Sequence, residues 1–399
     1  MKKFTAAALS LAVTTVMTFT PCFTAQASEE SYTEYQWALH NDGRLRRTER
    51  RLNIKALNEM YLHRGENGID AIALPPLGPS NYDSISTDAA AGIDININDA
   101  WKIYEEAPEK RTVTVALIDT GVDISHEELA GSIWVNEEEI PGDGIDNDGN
   151  GYIDDVNGWN FLNNTNQVYV GDEDVHGTHG AGTIAAAWNG TGITGIADGN
   201  YTKIMVLKAL GGEEGMGSPE SVIAAIRYAE ANGAQICNLS LGSGAYTEEF
   251  ASLFQNSSML FVVAAGNGNR YEIGYDIDKH PVYPASFSYD NIITVGNLLF
   301  NGKLDESSNF GIGSVDIAAP GTYILSTMPE NSYTFMSGTS MAAPMVTGAA
   351  ALIYSARPEL SLADVKNAII SSAHKLAPLK GKVLSGGMLD VSAAMNWGR

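Results

Sequence analysis

Cysteine is nearly absent from this chain: Cys22 and Cys237 are the only two among 399 residues. That excludes a disulfide-stapled scaffold and a cysteine-built zinc site. Cys22 falls in a stretch read below as a leader. Cys237 sits in the apolar run 235–239, where a lone thiol reads as a small core residue. Positive charge is scarce too, with 24 Lys and Arg against 48 Asp and Glu and a formal net charge of −24. This sign argues against nucleic acid as a partner and against stable association with an anionic membrane surface. Beyond residue 19 no apolar run is long enough to cross a bilayer. No stretch has a disordered or collagen-like composition, and no repeat occurs at solenoid spacing.

What is present is a globular composition, 44% hydrophobic and 18% charged, in a chain long enough for one large core or two ordinary ones. Lys2 and Lys3 precede an apolar stretch from Ala6 to Phe19, and Ala25-Gln26-Ala27 is a small-x-small cleavage pattern. This predicts a secretory leader over 1–27 and an extracellular product. Further on, apolar strand-like runs (112–118, 203–207, 235–239, 260–264, 292–295) alternate with helical stretches (219–232, 250–256, 346–355, 362–371). Buried β-branched runs between helices predict an α/β fold of three layers, a mainly parallel sheet with helices on both faces. Ligands of such sheets sit beyond the carboxyl ends of the strands. Asp119, Ser240 and Asn267 fall there.

Four short motifs carry chemistry. Asp119 ends a strand in VALIDTGVD, where a carboxylate followed by Thr-Gly is placed to hold a histidine. His176 opens a helix in DVHGTHGAGTIAA, and histidine is the natural general base near neutral pH. His179 lies three residues on, but a metal would need a further ligand and usually the H-E-x-x-H spacing, which is missing. Asn267 follows a buried strand in VVAAGNGN, and Ser340 lies in GTSMAAP before an Ala-rich helical run. Each also has an ordinary reading: Asp119 as a turn carboxylate, Asn267-Gly268 as a turn dipeptide, Ser340 as a helix N-cap.

Taken together, the blocks VALIDTGVD, HGTHGAGTIAA, NLSLGS, VVAAGNGN and GTSMAAPMVTGAAAL resemble those of the subtilases, the subtilisin-like serine peptidases, over residues 93 to 395. The order Asp, His, Ser is the one this fold uses. The resemblance implies a secreted endopeptidase acting on polypeptides, working as a monomer through an acyl-enzyme. A catalytically silent binding protein on the same fold is the alternative, and a lost triad member would have signalled it. By resemblance Ser340 is the nucleophile, His176 the general base and Asp119 its orienting acid. The Asn267 side chain and the Ser340 N–H form the oxyanion hole. Ser240, Leu241 and Gly242, with Ala264, Ala265 and Gly266, line the pocket for the residue before the scissile bond. Gly215, Met216 and Gly217 form an edge strand that pairs with substrate backbone. Small apolar walls favour a large apolar or aromatic side chain, and Glu213 and Glu214 favour a basic residue farther upstream. Two positions depart from the family pattern: Met345 stands where His is usual, and Gly180 where Val is common.

Two stretches interrupt the alternation. GDGIDNDGNGYIDD (142–155) sets Asp146, Asp148 and Asn150 at alternate positions before Gly151, with the Tyr152 carbonyl next in line. That is the opening of an EF-hand-type loop, and Asp154 or Asp155 must supply its closing carboxylate. Carboxylates this dense repel unless a cation neutralises them, so a structural Ca²⁺ is expected, as in some calcium-dependent subtilases. The other stretch, about 42–90, is read as an insertion within an N-terminal arm (28–99) ahead of the catalytic domain (100–399). It carries the basic cluster Arg44 to Arg51 and helical spacing at Ile54, Leu57, Met60 and Tyr61, which predicts an amphipathic helix near 49–62. With Tyr35–Gly43 already resembling the start of the domain, this segment is expected to stay attached and gate activity in place of a propeptide.

Overall fold

The structure is a computed structural model describing residues 31–45, 72–73, 89–212, 215–269 and 271–399. The expected leader, the helix near 49–62, Glu213 and Glu214 lie outside the described residues. In chain order the elements are β1 (Ile72–Ala73), α1 (Ile97–Glu105), β2 (Val113–Asp119), β3 (Gly158–Asn160), α2 (Val175–Ala185), β4 (Thr202–Lys208), β5 (Met216–Gly217), α3 (Pro219–Ala231), β6 (Ile236–Leu239), α4 (Glu248–Asn256), β7 (Leu260–Ala264), β8 (Ile292–Leu298), β9 (Ile317–Pro320), β10 (Ile324–Met328), β11 (Ser332–Met336), α5 (Thr339–Ala356), α6 (Leu362–Ser371), β12 (His374–Lys375), β13 (Gly387–Met388) and α7 (Val391–Met395).

One nine-stranded sheet, ordered β12-β13-β9-β8-β7-β6-β2-β4-β3, organises the molecule. All neighbours are parallel except β12 with β13. The central strands β6 and β7 are buried along their whole length, as continuous apolar runs in a covered parallel sheet must be. Helices cover both faces. α2 and α5 pack on each other and on the sheet, while α3 packs on β2 and β4 and against α4. The chain crosses over β2 on its way from β4 to β6. The carboxyl end of β2 therefore lies at a switch in strand order, where open α/β sheets form their clefts. Cys237 is a fully buried core residue of β6, as expected.

Three differences from the sequence expectations have physical causes. Helix α5 begins at Thr339, well before residue 346, and runs through Pro344. Proline removes the N–H that would bond the carbonyl four residues back, and here the Ser340 carbonyl instead accepts from Ser240 Oγ at 3.0 Å. The hairpin β10–β11 gave no glycine signal, because its turn uses positive φ at Glu330 (63°) and Asn331 (53°). Strand β9 is short and ends in proline, which reads as a loop.

The N-terminal arm lies against the main body. Trp37 is buried and its indole N–H donates to the carbonyls of Thr322 and Tyr323 at 3.0 and 3.2 Å. The two sides of the expected insertion meet: Gly92 N donates to Asn41 O at 2.9 Å and Ile95 N to Ala38 O at 3.0 Å. Of the segment between, β1 pairs antiparallel with β5, Ile72 opposite Gly217 and Ala73 opposite Met216.

Candidate active site

Asp119 closes β2 and is 2% exposed. Its Oδ1 accepts from the Thr120 N–H at 2.7 Å and faces His176 Nδ1 at 2.8 Å. His176 sits in the first turn of α2, 1% exposed. The Thr120 hydroxyl accepts from Gly177 N at 3.1 Å and ties that turn to the end of β2. Gly177 is required by this approach, since a Cβ there would lie 2.1 Å from the Gly121 carbonyl. A carboxylate on Nδ1 fixes that nitrogen as the N–H of a neutral ring, leaving Nε2 its lone pair. Nε2 is buried and has no hydrogen-bond partner.

One turn further along α2, His179 is fully buried and bonded through Nε2 to the Ile324 carbonyl at 3.0 Å. It joins α2 to β10 as a packing residue. Burial, offset in part by that carbonyl, drives its pKa down to about 3. The neutral ring belongs to the folded state, whereas the unfolded chain takes up a proton near pH 6.5. Stability from this group is therefore present above pH 6.5 and lost as pH falls toward 3, at about 1.4 kcal/mol per pH unit per proton. His126, also buried and lowered by desolvation, acts in the same direction. Chemical denaturation between pH 7 and 4 should show this loss, and His179→Gln should flatten but not abolish it.

The helix bearing Ser340 is buried on nearly every side. Small residues permit this, with Gly348 placed where a Cβ would come 2.8 Å from Ile196 Cβ. Gly180 on α2 has room: a Cβ there would meet Pro344 at 3.7 Å, an ordinary contact. Ser340 lies in the first turn of α5, 1% exposed. Its hydroxyl donates to the Ser240 carbonyl at 3.4 Å and makes no bond to His176. Such catalytic bonds are often loose without substrate. Asn267 follows β7. Its Oδ1 accepts from both the N–H and the hydroxyl of Thr339, each at 2.8 Å. That turns the amide nitrogen toward Gly338, where a Cβ would lie 2.8 Å from Nδ2 and where φ is 150°. Only glycine suits that place. Sequence reasoning missed Thr339, whose hydroxyl also accepts from Gly266 N at 3.1 Å.

The pocket segments 240–242 and 264–266 follow the neighbouring strands β6 and β7. Val282 packs beside the first of these, a neighbour that the sequence gave no sign of. Its Cγ1 lies 3.1 Å from where a Cβ on Gly242 would stand. The next residue, Tyr283, pairs with Ser243 through bonds of 2.8 and 2.7 Å. Gly215, Met216 and Gly217 form a turn and the β5 edge, and β1 lies on that edge.

In the acidic loop, ligand-capable oxygens of Glu139, Asp148 and Asp155 lie within 4.8 Å of one another. Asp155 is fully buried and Glu139 nearly so. This acidic cluster can hold a metal ion. Asn150 Nδ2 bridges Asp148 Oδ2 and Asp155 Oδ2 at 2.8 and 2.9 Å. Asp146 lies beside the cluster, its carboxylate accepting from Asn150 N and Gly151 N at 3.0 and 2.9 Å. The Tyr152 ring packs on Trp159, Phe161 and Tyr228. Of Asp154 and Asp155, it is Asp155 that lies within the cluster, while Asp154 accepts from Gly142 N and Gly144 N at 2.7 and 3.1 Å. Glu139 lay outside the loop pattern, so sequence spacing did not find it.

A sequence model described as the Subtilase family matches residues 110–388. Subtilisin-like protease 1 of Plasmodium berghei is 35% identical over 71% of this chain and 49% of its own length. Subtilisin DY of Bacillus licheniformis is 33% identical over 74% of this chain and 95% of its own. The major intracellular serine protease of Bacillus subtilis is 35% identical over 66% and 75%. The chain spans about half the length of the Plasmodium relatives it matches. With these matches and the nine-stranded, mainly parallel sheet, the chain belongs to the subtilase family.

Proposed function

We propose that this chain is a secreted serine endopeptidase. The observation that carries the reading is the buried 2.8 Å pair of Asp119 and His176, with the Nε2 lone pair unpartnered. It stands at the start of α2, which packs on the helix whose first turn holds Ser340. In this mechanism His176 Nε2 takes the Ser340 hydroxyl proton as Oγ attacks the substrate carbonyl carbon. Asp119 holds the ring and stabilises the imidazolium that forms. The developing oxyanion accepts from Asn267 Nδ2 and from the Ser340 N–H at the start of α5. Collapse expels the amine, which receives the proton from His176 and leaves an ester on Ser340. Water then gives a proton to His176 Nε2 as its oxygen attacks the ester carbon, and collapse breaks the bond to Ser340 Oγ, which takes that proton back from His176 as the acid leaves. Labelling by a fluorophosphonate probe tests the reading: the wild type should label and Ser340→Ala should not. An unlabelled, folded wild type would overturn it.

Main-chain pairing along β5 gives broad sequence tolerance, and the pocket below Gly242 takes a large apolar side chain of a depth limited by Val282. An extended substrate would use the edge on which Ile72 and Ala73 already pair. Met216 spends its N–H and carbonyl on Gly211, so of the two positions Ile72 is the one whose N–H faces β5. Substituting proline at both removes that donor and disfavours the pairing. This should lower KM for four-residue substrates several-fold, and an unchanged KM would show that the substrate binds elsewhere.

Glu139, Asp148 and Asp155 suit Ca²⁺, a hard cation that takes oxygen ligands. Once bound, it would neutralise their mutual repulsion and rigidify the loop. Excess chelator should lower the melting temperature by several degrees, since a ligand held 100-fold above its Kd adds about 2.7 kcal/mol. Asp148→Ala with Asp155→Ala should erase the response to chelator. A melting curve indifferent to chelator would remove calcium from the picture.

A further inference from the structure

Lys208 is the last residue of β4, is fully buried, and takes no part in the chemistry above. An isolated buried ammonium is very costly, so its partners matter. It stands in register beside Asp119 of β2. Its Nζ donates to the Thr120 carbonyl and to that of Leu210, the latter at 3.3 Å. It contacts Asp174 Oδ1 at 2.7 Å and Glu173 Oε1 at 2.6 Å. Asp174 is buried and immediately precedes α2, and its other oxygen accepts from Val170 N at 2.5 Å and Gly171 N at 3.1 Å. Glu173 is about a third exposed, and its second oxygen accepts from Gly212 N at 3.1 Å. Gly211, next to it, is bonded both ways to Met216 of β5, at 3.0 and 2.9 Å.

One ammonium thus touches three parts of the site. The Thr120 carbonyl belongs to the turn after Asp119. Asp174 belongs to the start of the helix that carries His176. Glu173 reaches the hairpin that presents the β5 edge. Rotating or lifting any one of them strains the other two through a single charged atom. We propose that Lys208 is a positioning residue that couples occupancy of the β5 edge, through Glu173, to the alignment of the Asp119–His176 pair. This rests on the endopeptidase reading of the same site. A substrate that pairs along β5 steadies the hairpin, and that order passes through Glu173 and Lys208 to the base. A short substrate that never reaches β5 gains nothing from the coupling.

The test compares a four-residue peptide anilide with a single-residue ester, with rates expressed per site titrated by a fluorophosphonate. In Glu173→Ala, a change at a partly exposed residue, the peptide-to-ester ratio of kcat/KM should fall about tenfold. In Lys208→Met with Asp174→Asn, which removes the charge without stranding a buried carboxylate, kcat per titrated site should fall at least tenfold on both substrates. A merely structural role would change the titrated fraction or the melting temperature and leave per-site rates and the ratio at wild-type values. That result in either variant overturns the proposal. If the double variant does not fold, Glu173→Ala decides alone. A wild type that neither labels nor hydrolyses either substrate defeats the endopeptidase reading instead, and the two failures are told apart by the wild-type lane.

Discussion

Ser340→Ala, His176→Ala and Asp119→Asn should each lower kcat for peptide hydrolysis by about 10⁴ to 10⁶, magnitudes measured in a subtilisin relative. The three should not add. Once Ser340 is gone, His176 has no hydroxyl proton to take, and once His176 is gone Asp119 has nothing to orient. Asp119→Asn is the most instructive because it keeps shape and removes charge. An amide there can present N–H to the ring, which favours the wrong tautomer and puts a proton on Nε2. Double variants should be little slower than the worst single one. Steady-state kinetics on purified, folded protein would check this, and multiplicative losses would mean that the three residues do not work on one proton.

The second large effect belongs to Asn267. Asn267→Ala should reduce kcat by about 10²–10³ with little change in KM, the size seen when the same donor is removed from a subtilisin. The split follows from what the side chain meets. Its oxygen is held by Thr339 in the resting site, and in the proposed mechanism its nitrogen meets charge that develops only in the transition state. Thr339→Val keeps Asn267 but removes the hydroxyl that steadies its oxygen, and should cost less. A rise in KM equal to the fall in kcat/KM would reassign Asn267 to ground-state binding.

The residues of the expected triad were legible because each sits at the end of an element whose apolar run is unmistakable. Asp119 closes a seven-residue strand, and His176 and Ser340 open helices. Continuous buried runs likewise revealed the parallel sheet. What stayed hidden depends on contacts between distant segments. Glu139 joins Asp148 and Asp155 only once the loop folds back. Val282 reaches Gly242 across about forty residues of chain. Lys208 falls just past the strand-like run 203–207, and nothing local distinguishes a buried ammonium from a solvated one. Helix α5 starts before its Ala-rich run, although proline normally marks a helix boundary. Here the Ser240 hydroxyl, just past β6, supplies the bond that proline cannot.

That substituted bond limits how the site can diversify. The Ser240 hydroxyl holds the Ser340 carbonyl, Asn238 Nδ2 donates to that hydroxyl at 3.1 Å, and the Thr347 hydroxyl donates to Asn238 Oδ1 at 2.7 Å. The segment after β6 and the backbone of Ser340 are therefore one object. Under the proposed function, selection for a new substrate preference can act at Gly242 or Val282, which stand outside this chain of bonds. At Ser240 or Asn238 every change in taste is also a change in aim, and variation at those two positions should be purged even in lineages whose diets have diverged.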